Sequence, residues 1–166
     1  MKVLSSDTSV NMFVIIIAES SVLRGLHTEI CRYLFAKKDC FLHFRKLSSR
    51  DKRKLLKHYK ENLARFVAQF DNFSVYVLKR SFKSNATTIL RVFKKKVSEF
   101  KPDRIVLPSD FDNLIQDFTR RFVKTINLKP IINDTSHYTQ ISDILLNIYR
   151  RTRKIAYFPK IETQVI

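Results

Sequence analysis

The residues of this chain that could do acid–base or metal chemistry fall in three polar sets. Glu19, with Ser20 and Ser21 after it, ends the apolar run Met12–Ala18. Ser109, Asp110 and Asp112 follow the short apolar run Ile105–Leu107. Gln140, Asp143 and Asn147 stand three and four residues apart, which places them on one face of a helix. Layered α/β sheets expose their chemistry where strands end, and several carboxylates gathered there could hold two divalent ions for phosphoryl transfer. Asp143 sits among Ile141, Ile144 and Leu145. A carboxylate buried there needs a cation, a metal or a hydrogen-bond donor. One in the first helical turn would only complement the helix dipole.

Other chemistries are poorly represented. His27, His43, His58 and His137 are scattered, with no two at the spacing of metal ligands along one element. Cys31 and Cys40 are too few for a disulfide framework or a zinc site of the usual spacing, and they fit small buried roles in a reducing, cytoplasmic interior. Ser20 and Ser21 lack the Gly-x-Ser-x-Gly elbow of a serine nucleophile. Gly25 is the single glycine, which excludes a Gly-rich phosphate loop or a dinucleotide fingerprint. No secretory leader is expected, and no apolar run approaches the length of a membrane span.

Charge is the strongest compositional signal. Thirty-two Lys and Arg stand against 15 Asp and Glu, a formal +17 in 166 residues. That excess predicts a polyanionic partner, nucleic acid before an anionic membrane surface. It is spread along the chain: up to Lys83 there are 17 basic and 7 acidic residues, and beyond it 15 and 8. The clusters Lys52, Arg53, Lys57 and Lys60, then Lys94, Lys95 and Lys96, then Arg150, Arg151, Arg153 and Lys154 are the candidate nucleic-acid-binding residues. Such contacts give affinity without sequence specificity. Tyr76, Tyr149 and Tyr157 are candidates for base stacking, with core packing the alternative for Tyr76.

The elements that would position these groups alternate between strand and helix. Met12–Ala18 is strand-like and apolar on both faces, as a buried central strand is. The segment 22–38 suits a short helix capped at Thr28 or a hairpin strand. Cys40–Arg45 suits a short strand or an extended stretch. Ser48 and Ser49 with Asp51 open a helix that runs to Phe70. Strand Phe73–Leu78, a helix from about Asn85 to Phe100, and strand Arg104–Leu107 follow. A helix opens at Pro108-Ser109-Asp110, Asn127–Ile132 is a strand confined to an edge by Pro130, and a last helix spans about 138–154. Residues 1–11 are expected as a flexible lead-in, 12–158 as one domain and 159–166 as a tail. The alternation indicates an α/β domain with a mixed sheet flanked by helices.

The order of short motifs resembles a broad family of uncharacterised ribonuclease-H-like domains. Their first strand ends in Asp-Glu-Ser-Gly, a Glu-hydrophobic-Lys-aromatic segment precedes a basic helix, and the last helix opens with Gln-hydrophobic-Ala-Asp. The counterparts here are Ala18-Glu19-Ser20-Ser21, Phe41-Leu42-His43-Phe44 and Gln140-Ile141-Ser142-Asp143. The resemblance implies a ribonuclease-H-like fold, yet Ala18 and Phe41 replace two family carboxylates and Leu107 ends the strand that a third would close. Only Asp143 matches outright, so the implied metal site is degenerate. Glu19 could substitute, although strand alternation points it away from the side of Ala18.

The expected function is therefore binding of nucleic acid, with RNA or a ribonucleoprotein favoured, the ribosome among the candidates, and no cofactor required. The alternative is an active nuclease using magnesium or manganese, with Glu19, Asp110 and Asp143 as catalytic and metal-ligating residues and Asp112 in reserve. A second alternative is an accessory structural protein of a ribonucleoprotein or viral particle.

Overall fold

Met12–Glu19 (β2) lies where an apolar, β-branched run has to lie, between two other strands. It pairs antiparallel with Lys2–Ser9 (β1) on one side and with Ser74–Lys79 (β3) on the other. The computed structural model describes residues 1–9, 12–70, 73–79, 86–109, 128, 130–152 and 161–165. β1 also pairs in parallel with Arg104–Leu107 (β4), and β4 in parallel with Ile131–Ile132 (β5). Ile161–Val165 (β6) adds in parallel beyond β3. The result is a six-stranded mixed sheet of order β5-β4-β1-β2-β3-β6.

Strand alternation sends β2 side chains into two cores. Val14, Ile16 and Ala18 face Ser20–Phe35 (α1) and His137–Thr152 (α5), while Phe13, Ile15 and Ile17 face Ala86–Phe100 (α4). None of these six is more than 2% exposed, and each large one buried this way contributes about 1.5–3 kcal/mol. Ser49–His58 (α2) joins the α1 and α5 layer and continues through a π-helical turn, Tyr59–Leu63, into Ala64–Ala68 (α3). Its start follows the sequence expectation: the Ser48 hydroxyl accepts the Asp51 amide at 3.0 Å.

Three expectations are corrected. The region 1–11 contains a central strand, β1, rather than only a flexible lead-in. Its hydroxyls hide this by making a buried strand look polar. The two fully buried ones are satisfied internally, with Ser5 and Ser142 Oγ atoms 2.8 Å apart between β1 and α5, and Ser6 donating to the Val14 carbonyl. The end of the chain is likewise paired, because β6 lies within the expected tail. Finally, 20–35 is one continuous helix with Thr28 inside it, so the hairpin alternative falls. β5 is an edge strand, as Pro130 suggested. The expected helix after Pro108 lies outside the described residues apart from Ser109.

Candidate functional site

Cys40–Leu42 is irregular, His43 is extended, and the chain passes into a short 3-10 turn, Phe44–Lys46, which packs along α5. Two side chains of α5 hold it there. Gln140 Oε1 accepts the Leu42 amide at 2.7 Å, and Asp143 Oδ2 accepts the Phe44 amide at 2.7 Å. The spacing explains the motif. Residues three apart on a helix face are about 5 Å apart, close to the repeat of alternate amides on an extended segment. Asn147 Nδ2 donates to the other Asp143 oxygen at 2.9 Å. Asp143 lies in the second turn of α5, so it is not a first-turn partner of the helix dipole. It is half-buried, and both its oxygens are engaged.

Around this clip the basic clusters converge. Lys52 of α2 places Nζ 5.4 Å from the Phe44 ring centroid, and Arg151 of α5 places Cζ 5.1 Å from it. Lys46 lies 5.2 Å from the ring of Phe41, which is 49% exposed. Such cation–π contacts hold the charges in place while leaving them hydrated. Among the described residues, none of Lys46, Lys52, Arg53, Lys57, Arg150 or Arg151 is ion-paired. The arrangement is one exposed ring, Phe41, with Lys46 beside it, close in the chain to a buried ring, Phe44, flanked by Lys52 of α2 and Arg151 of α5. An exposed ring with cations nearby is the chemistry that stacks a base and neutralises phosphates.

The other sequence candidates lie elsewhere. Glu19 sits opposite Lys2, at the end of β1 where the strand begins, and pairs with the Met1 amine at 2.9 Å. Val106 lies beside Ser5, so Leu107 and Ser109 emerge at the opposite end of the sheet. Roughly 13 Å of strand separates the levels of Glu19 and Leu107. Asp110, Asp112, Arg153, Lys154 and Tyr157 lie outside the described residues. Lys94 and Lys95 are on α4, across the sheet from Lys52 and Arg151. With Arg91, Ser98 and Glu99 they line an open groove of about 500 Å³. Lys96 turns inward, 8% exposed, with Nζ 3.7 Å from the Tyr76 ring centroid and 3.2 Å from Glu99. Tyr76 and Tyr149 are buried.

Because β1 is the first strand, a motif that closes a first strand falls on Asp7-Thr8-Ser9 and not on Ala18–Ser21. Asp7 pairs with Val14, so it shares the face of Val14 and Ser5 that is turned to α5. It is a carboxylate on the α5 side of the central sheet that sequence reasoning passed over. Its signal was the apolar pair Val3-Leu4 just before the hydroxyls.

A second group was also missed. His27, Asp39 and His137 place their ligand-type atoms within 4.8 Å of one another, a grouping of three that Glu19 and Asp143 do not make among the described residues. The rings of His27 and His137 stack at 4.1 Å. Burial lowers the His27 pKa, the Gln140 hydrogen bond partly opposing it. Beside them Cys31 and Cys40 form a disulfide, which corrects the expectation of two free buried thiols. These residues are joined by the loop after α1 and by the start of α5, more than 90 positions later in the chain, a distance over which spacing carries no signal.

No protein-family model matches the chain, and no curated protein matches it. Among solved structures it is similar to a chain in the structure of the PCNA:RNase HII complex from Archaeoglobus fulgidus. The TM-score is 0.51 at 14% sequence identity, covering 93% of this chain and 74% of that chain. The fold is ribonuclease-H-like. At this identity the likeness concerns the fold alone. No helix among the described residues is long and apolar enough to cross a membrane.

Proposed function

We propose that this protein binds nucleic acid, single-stranded RNA in preference, on a ribonuclease-H-like scaffold whose metal site is degenerate. The observation that carries the proposal is the convergence of Lys46, Lys52 and Arg151 over Phe41 and Phe44, beside Asp143. Phosphates would run along the cations of α2 and the end of α5, and a base would stack on Phe41. Phe41 occupies the position of a family carboxylate, so the change that weakens metal binding also supplies the stacking surface. Asp143 is engaged by Phe44 and Asn147, and Glu19 is paired with the Met1 amine where β1 begins, which argues against a shared two-metal site built from them.

Fluorescence anisotropy of a labelled single-stranded RNA, titrated at several salt concentrations, tests this. Affinity should fall steeply between 50 and 200 mM salt as counterions are released. Absence of binding at the lowest salt, or affinity indifferent to salt, overturns the proposal. The same RNA incubated with magnesium or manganese should stay intact. Cleavage that Asp143→Asn abolishes would instead establish the nuclease alternative.

A further inference from the structure

The disulfide, the two histidines and Asp39 have no role in the nucleic-acid proposal, and their geometry points to a site of its own. We propose that His27, Asp39 and His137 bind a zinc-class divalent ion, and that the redox state of Cys31 and Cys40 sets its affinity.

The hydrogen-bond network fixes the donor atoms. Gln140 Nε2 donates to the Thr135 carbonyl at 2.8 Å, which orients the amide and leaves Oε1 as acceptor. His27 Nε2, 2.9 Å from that oxygen, therefore carries the ring proton. The lone pair of a neutral His27 is then on Nδ1, which lies 3.8 Å from an Asp39 carboxylate oxygen and 3.8 Å from Cys31 Sγ. A sulfur in a disulfide has no proton to offer, so Nδ1 faces an acceptor, the Asp39 carboxylate. His137 Nε2 lies 3.2 Å from the same carboxylate oxygen. A cation between these atoms converts mutual repulsion into coordination. Two imidazoles, one with its far nitrogen held by an amide, and a carboxylate form a zinc-type set with room for a further ligand. Tetrahedral bonds of roughly 2.0–2.1 Å need ligand atoms roughly 3.3 Å apart. Asp39 is 72% exposed and His137 38%, so the outer ligands can close the distance from within 4.8 Å to roughly 3.3 Å while His27 stays fixed.

The further ligand is within reach. Cys31 Sγ is adjacent to His27 Nδ1, and Cys40 Sγ is bonded to it. A dithiol or phosphine reductant supplies two electrons that break the S–S bond, and each sulfur takes a proton. Coordination then displaces the proton from each sulfur that binds the ion, because thiolate is the ligand. The oxidised protein offers nitrogen and oxygen only, and the reduced protein adds thiolate, which zinc favours.

Competition against a chromogenic zinc chelator, run on the full chain before and after phosphine reduction, tests the proposal. One zinc per chain is expected, bound at least tenfold more tightly after reduction. Asp39→Asn, at an exposed position, and His137→Ala, at a partly exposed one, should each weaken both states at least tenfold. Cys31→Ser/Cys40→Ser should bind as the oxidised protein does and ignore the reductant. No stoichiometric zinc, equal affinity in the two redox states, or affinity untouched by Asp39→Asn and His137→Ala overturns the proposal. RNA binding by the same samples is a second readout, and the two sites share Gln140, whose Oε1 meets both His27 Nε2 and the Leu42 amide.

Discussion

The Asp143 carboxylate accepts the amide of Phe44 at 2.7 Å, and this bond anchors the loop to α5. Removing the acceptor leaves a half-buried amide without its charged partner, which costs about 1.5–3 kcal/mol for a bond of this class. Asp143→Ala should therefore lower the urea midpoint by that equivalent. It should also speed hydrogen exchange at Phe44 more than at core strands.

Ser5 and Ser142 offer a cleaner test of the β1–α5 contact. The hydroxyls are 2.8 Å apart and fully buried, and Ser142 also lies 3.1 Å from the Tyr138 carbonyl. One hydroxyl removed leaves the other short of a partner, so Ser5→Ala should cost about 1–2 kcal/mol. The double variant Ser5→Ala/Ser142→Ala should cost less than the sum of the single changes, read by chemical denaturation.

α1 ends at Ala36, whose φ of 55° places it in the left-handed region while its amide closes onto the Arg32 carbonyl at 2.9 Å. A Cβ there is strained, and glycine is not. Ala36→Gly should raise stability by about 0.5–1 kcal/mol, seen as a higher melting temperature.

His58 is buried against Tyr33, whose ring stacks at 3.8 Å, and Glu29 stands 3.7 Å from its Nε2. Burial lowers its pKa, with Glu29 and Glu61 opposing. The unfolded chain then binds a proton more readily than the folded one. Stability is fully present above the unfolded value of about 6.5 and is lost as the pH falls from there towards the folded value. The urea midpoint should drop between pH 7.5 and 5.5, and His58→Phe should shrink that drop. His27, shifted in the same direction, supplies the remainder.

Much of the fold was legible because its elements carry one period each. Met12–Ala18 had to be buried on both faces, and Ser48 with Asp51 marked a helix start that the coordinates repeat. β1 was not legible, since Ser5 and Ser6 make a central strand look like a surface segment until their partners on α5 and β2 are known. The basic faces could be read from composition. Their meeting over Phe41 and Phe44 could not, because Lys52 and Arg151 come together only through tertiary packing. The same is true of His27 and His137.

The most direct test of the central claim is the affinity of a short single-stranded RNA for Phe41→Ala against the unmodified protein, at one fixed salt concentration. Loss of one stacked base is worth about 1–3 kcal/mol, so affinity should fall roughly 5- to 150-fold. Lys46→Ala/Lys52→Ala/Arg151→Ala should in addition flatten the salt dependence by roughly three phosphates' worth of slope. Unchanged affinity in Phe41→Ala, with the salt slope unmoved by the triple variant, would place the nucleic acid elsewhere and contradict the account.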